Sequence, residues 1–147
     1  MQLHVGTFQR CHWQSLGNGV FDDEGWAAYV KRMWHVHSIL ERGDLILDLW
    51  YDCGRPSPKA RNEFTTQFAS AHALDRIHGH AFVTNSALSR GVLTAVNWVV
   101  KRPFDEKLFA SPSDAMPWLS KLNPALDARG LLIELNASIP GFSALKW

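Results

Sequence analysis

The stretch that most constrains this chain runs from residue 79 to residue 119. Gly79-His-Ala-Phe-Val-Thr84 reads as a buried strand, Asn85-Ser86 as a helix cap, and Ala87 to Lys101 as a helix with one apolar stripe. Glu106-Lys-Leu-Phe109 reads as a second strand and Pro112 to Leu122 as a short closing helix. A strand, a capped helix, a strand and another helix in so short a span is the sequence form of a βαβ unit, whose strands lie parallel because the helix crosses over between them.

The preceding residues extend that pattern. Leu3 to Phe8 alternates apolar and polar side chains, as a half-buried strand does, and His12-Trp-Gln-Ser extends or repeats it before Gly17-Asn-Gly19, which is expected to turn the chain. Asp22 and Asp23 supply carboxylates for the free amides of a helix that carries Trp26, Val30, Met33 and Leu40 and ends near Gly43. Leu45-Ile-Leu-Asp-Leu-Trp-Tyr51 is almost continuously apolar, which suits a central strand covered on both faces and leaves Asp48 to be explained. Ser57-Pro58 places a cap and a first-turn proline before a helix reaching about Ile77, with Ala60, Phe64, Phe68, Ala71 and Leu74 in one stripe.

In the helix after Ser86 the stripe is Leu88, Val92, Ala95, Val96 and Val99, and Pro103 stops it. Ser111-Pro112-Ser113-Asp114 repeats the cap-plus-proline pattern, although Pro117 leaves Ser113 as an alternative start. Beyond Asn123-Pro124 the run Leu131-Leu-Ile-Glu-Leu135 is expected to add an edge strand, which packs on its own sheet or pairs with another chain. The expectation is a single α/β domain over residues 1–122, with a mixed, mostly parallel sheet of four or five strands and four helices, and residues 123–147 as an extension packed on it.

Composition narrows the function classes. At 147 residues and 46% hydrophobic, the chain can bury a substantial core. Its formal net charge is +1, with both signs scattered, so it lacks the basic footprint of a nucleic-acid binder. No apolar run approaches the roughly 18 residues of a membrane span. The first residues show no charged-then-apolar leader, so the expected location is the cytoplasm. Cys11 and Cys53 then read as buried thiols rather than a disulfide.

Three stretches carry a family resemblance. Leu45-Ile-Leu-Asp-Leu-Trp-Tyr-Asp52 resembles the central strand, ending in aspartate, of the STAS-like domains of bacteria, and more narrowly of the SpoIIAA-like group of anti-sigma-factor antagonists. Ala81 to Val96 is similar to that group's strand-to-helix passage, and Phe109-Ala-Ser-Pro-Ser-Asp-Ala-Met-Pro-Trp-Leu119 to its closing signature. The resemblance covers roughly residues 3–122. It implies a non-enzymatic module that binds another protein through the cap and helix after residue 84, where relatives carry a phosphorylatable serine behind an aspartate. Here that place reads Asn85-Ser86.

Each candidate site has a plainer reading. Ser86 and Ser89 stand where helix amides would stabilise a phosphate, yet Ser86 also serves simply as an N-cap. With Asn85, Arg90 and Trp98 they form the candidate partner-binding surface; Trp98 lies off the apolar stripe and faces a partner or packs on the helix flank. Asp48, Asp52 and Arg55 mark a possible crevice at the end of the central strand, where open α/β sheets bind ligands, and the plainer account of Asp48 is a buried carboxylate bonded to backbone amides or an arginine. His35 and His37 point apart on a helix; His78 and His80 share a strand face but lack further ligands, so no metal and no cofactor is expected.

The leading expectation is therefore a regulatory or scaffold protein in bacterial signalling whose partner is another protein, a second copy included. The alternative is a carrier of a small apolar or lipid-like ligand, lodged in a cavity beneath the first helix and the helix after Ser86. Catalysis by Asp48 and Asp52 is the weakest of the three readings.

Overall fold

A computed structural model describes residues 2–19, 22–53, 57–60, 62, 63, 66, 74–87, 89–91, 93, 94 and 101–147. Five strands, β1 (Gln2–Phe8), β2 (Cys11–Gly19), β3 (Asp44–Cys53), β4 (Ile77–Thr84) and β5 (Asp105–Phe109), form one sheet in sequential order. The β1–β2 pair is antiparallel and every later pair parallel. The fold is thus the expected α/β type with a mixed, mostly parallel sheet. Helix α1 (Asp23–Ile39) connects β2 to β3, and helical residues at 58–60, 62–63 and 66 and at 87, 89–91 and 93–94 lie in the next two crossovers.

Alternation along the parallel strands, interrupted by a register shift at the start of β4, sorts the core into two layers. Leu16, Trp50 and Phe82 face one side, where they meet Trp26, Tyr29 and Met33 of α1 together with Ala60 and Leu93 from the later crossovers. All three crossovers therefore lie on the same face, as successive connections of one hand require. The opposite face, with Trp13, Leu47, Leu49, Ala81 and Val83, is covered by α2 (Pro112–Leu122) and α3 (Ala128–Ser138) and by Phe142. No helix among the described residues is long and apolar enough to cross a membrane.

Three local expectations need correction. Leu131–Leu135 is helical: Asp127 caps α3 by accepting from the Gly130 amide at 2.9 Å, and Leu131, Leu135 and Ile139 recur at helical spacing on the buried side while Ile133 stays 63% exposed. Gly17 and Gly19 lie inside β2 rather than in a turn, because the Tyr51 ring sits where a Gly17 side chain would. The turn falls at Gln9 and Arg10, both left-handed with φ of 45° and 67°, the pairing that matches the twist of a two-residue hairpin. Finally, α1 ends at Ile39, and Gly43 takes its positive φ of 96° in the loop before β3.

Pro112 opens α2 with Ser111 as its cap. The second-crossover stripe is described only at Ala60, which is buried, and at Leu74, which falls in a 3-10 turn. Leu88, Val92, Ala95, Val96 and Val99 lie outside the described residues; in the same segment Ser89 and Leu93, four apart, are buried.

Candidate functional site

The strands place a chain of buried polar side chains under α1. Parallel register sets Gln14 beside Asp48 and His80 beside Glu106, with His80 diagonal to Asp48 across the β3–β4 pair. The Gln14 amide donates to Asp48 Oδ1 at 2.5 Å, and the second carboxylate oxygen stands 2.7 Å from His80 Nε2. On its other side His80 Nδ1 is 2.8 Å from Glu106 Oε2, which in turn pairs with Arg102. Both ring nitrogens thus face carboxylate oxygens. A ring that donates to both, together with the guanidinium, brings the four ionisable groups to zero net charge.

Burial makes such pairing necessary. Asp48 is 0% and His80 1% exposed, and a charge so enclosed persists only when it is paired and hydrogen-bonded. The surrounding groups respond to it. Burial holds the Arg102 guanidinium down at about 10, opposed by the charge of Asp48. The Tyr29 phenol is pushed up, by burial first and then by the Asp48 charge. His37, on the same side of the sheet, is lowered to about 4 by burial and by His80. Among the described residues, Asp48 is therefore held by an amide side chain and an imidazole rather than by the backbone amides or arginine expected from the sequence.

A second cluster closes the amino end of β3. Arg10 Nε donates to Asp44 Oδ1 at 2.8 Å, His12 Nε2 lies 3.1 Å from Oδ2, and Oδ2 also accepts from the Glu41 amide at 2.8 Å. The far His12 nitrogen meets the Thr7 hydroxyl at 3.0 Å. Burial alone would raise the Asp44 carboxyl, but the hydrogen bonds from Glu41, Arg10 and His12 and the Arg10 charge bring it below its ordinary value. The cluster ties the β1–β2 hairpin to the loop that enters β3.

The strand-to-helix junction after β4 is a chain of small hydrogen bonds. The buried Thr84 hydroxyl accepts from the Ser86 amide at 3.2 Å, and the Ser86 hydroxyl accepts from the Ser89 amide at 3.2 Å. Ser86 is half-buried, Ser89 is 4% exposed, and Arg90 is half-buried one residue on. Asn85 is exposed and donates through Nδ2 to the Lys146 carbonyl at 2.7 Å, which brings the C-terminal tail against the junction. Trp147 then packs on Tyr51 and Phe142 with ring centroids 5.3 and 5.4 Å away.

Asp52, left-handed at φ 49° and exposed, is the penultimate residue of β3, about 13 Å along the strand from Asp48. The two carboxylates therefore do not meet, and Arg55 and Trp98 lie outside the described residues. His78 is exposed while His80 is buried, and no group of metal-ligating side chains is found among the described residues. Cys11 is buried; Cys53 is half-buried, its thiol donating to the Leu16 carbonyl at 2.9 Å. Sequence reasoning missed the roles of Gln14, His80, Glu106 and Arg102. The available signal was a polar residue inside each of the four parallel strands, at Gln14, Asp48, His80 and Glu106.

Comparison with protein-family models, with curated proteins and with solved structures gives no match for this chain.

Proposed function

We propose that the protein is a non-enzymatic regulatory or scaffold module in the manner of the STAS-like anti-sigma-factor antagonists, and that it binds a partner protein through the junction after β4. One observation supports this above others: exposed Asn85 sits on a turn whose backbone is fixed by the Thr84 and Ser86 hydroxyls. Such a turn presents side chains at the carboxyl edge of a parallel sheet with little ordering left to be done on binding. Half-buried Ser86 is the serine through which phosphorylation would act. An added phosphate would replace the hydroxyl cap and bring about −1.5 to −2 charge to the helix start.

The carrier reading asks for an apolar cavity under α1. Among the described residues that space holds packed rings: Trp26 on Tyr29 at 5.4 Å, Tyr29 against Trp50 at 5.5 Å, and Trp50 against Phe82 at 5.0 Å. The filled layer favours the partner-binding reading.

Photo-crosslinking in cells of the source organism tests it, with a benzophenone side chain at position 85 and, as control, at position 121 on α2. A discrete partner captured at 85 and not at 121, whose purified complex weakens about tenfold or more in Arg90→Glu, supports the proposal. Equal capture at both positions, or an affinity indifferent to Arg90→Glu, contradicts it.

A further inference from the structure

At the amino ends of β3, β4 and β5, opposite the junction after β4, the sheet opens into a cleft of about 650 Å³, within the size range of small-molecule sites. Three segments build it. The first is the Arg42-Gly43 loop, the second the 3-10 turn Leu74–Arg76 with His78, and the third the approach to β5 from Arg102 to Asp105. The first two are bound together: the Gly43 amide donates to the Arg76 carbonyl at 3.0 Å, and Arg76 Nη1 donates to the Leu40 carbonyl at 3.1 Å. The Arg42 carbonyl is itself held by Arg10 Nη2 at 2.8 Å. Both arginines therefore stand on backbone already fixed, which lowers the ordering cost of gripping a ligand between them.

The charges are graded from back to mouth. Arg102, 5% exposed at the side chain, is paired with Glu106, so its charge is answered inside the protein. Arg42 and Arg76 are exposed at the mouth. Exposed Asp75 and Asp105 flank them and would repel any anion not seated between the guanidiniums, while accepting from hydroxyl donors. A simple carboxylate satisfies one guanidinium fork, whereas a phosphate presents enough oxygens for two. The half-buried Phe104 ring, 5.8 Å from the Arg102 guanidinium, offers an apolar floor for the carbon face of a polyol.

We propose that this cleft binds a compact phosphorylated sugar or polyol, with its phosphate between Arg42 and Arg76 and its hydroxyls on Asp75 and Asp105. The site is separate from the partner-binding junction, and its test does not depend on that reading. Isotope-labelled protein is titrated, with amide chemical shifts recorded, against glycerol phosphate and against glucose phosphorylated on its primary hydroxyl. Inorganic phosphate and unmodified glucose serve as the comparison ligands. Saturable shifts are expected at Gly43, Arg76 and Asp105 and not at Asn85 or Ser86. Inorganic phosphate should bind about tenfold or more weakly, and glucose not measurably.

Arg42→Glu should remove the response while leaving the shifts of β2 and α3 in place, and Asp105→Asn should narrow the gap between the phosphorylated ligands and inorganic phosphate. No saturable shift with either phosphorylated probe in the millimolar range overturns the proposal. So does inorganic phosphate binding as tightly as both probes, or a response untouched by Arg42→Glu in a folded variant.

Discussion

Replacing His80 with alanine removes the centre of the buried polar chain and leaves a carboxylate on each side of the gap. Asp48 would keep the Gln14 amide and Glu106 would keep Arg102, but the contacts at 2.7 and 2.8 Å would both be lost. Each hydrogen bond to a charged group is worth about 1.5–3 kcal/mol, and breaking a buried pair from one side costs about 3–5 kcal/mol. The larger figure applies because Asp48 is 0% exposed and cannot recover its hydration without opening α1. With a urea slope of about 2 kcal/mol/M, the unfolding midpoint of His80→Ala should fall by about 1.5–2.5 M at pH 7. A double-mutant cycle with Asp48→Asn isolates the pair, and a coupling of about 1–3 kcal/mol is expected. A midpoint within a few tenths of a molar of the parent, with an unchanged slope, would refute the pairing; so would single effects that simply add.

Other consequences follow from neighbouring groups. His37 is held near about 4 in the folded chain, below its ordinary value, so the folded state binds fewer protons and stability should decline as pH falls from about 6.5 towards 4, by up to about 3 kcal/mol. His37→Leu should flatten that part of an unfolding curve measured across pH. Asp44 shifts downward too, so the stability it lends is present above the ordinary carboxylate range and lost as pH drops through its lowered value; Asp44→Asn should remove that acid-side loss and cost about 1–3 kcal/mol at neutral pH by thermal unfolding. Gly17→Ala would drive a methyl into the buried Tyr51 ring and should cost about 1–3 kcal/mol, read in the same assay. The Cys11 and Cys53 thiols, both pushed up to about 12 by burial, should resist a thiol-specific reagent at pH 8 until the chain is unfolded.

Architecture was legible in the sequence because the central parallel strands β3 and β4 are covered on both faces, and continuous apolar runs such as Leu45 to Leu47 and Ala81 to Val83 advertise that burial. Asp48 stood out for the same reason. Its partners did not, since they are set by register between strands far apart in sequence: His80 reaches Asp48 only because Ile46 pairs with it across the β3–β4 ladder. The Leu131–Leu135 run was misread because five apolar-rich residues suit a strand or a buried helix equally well, and the deciding cap lies outside the run at Asp127. The first turn escaped notice because Gln9 and Arg10 adopt left-handed backbone without the glycine or asparagine that usually signals it. At the junction after β4, the cap at Ser86 was readable from residue types, whereas the strap from Lys146 to Asn85 is a contact across 61 residues that no local pattern encodes.

The buried chain can be observed directly in the imidazole of His80, by nitrogen-detected magnetic resonance on protein labelled at histidine. Protons on both ring nitrogens, exchanging slowly with solvent and shifted together by Asp48→Asn and Glu106→Gln, are expected of a ring sealed between two carboxylates. A His80 ring whose protons exchange freely, or whose signals ignore both substitutions, would contradict it.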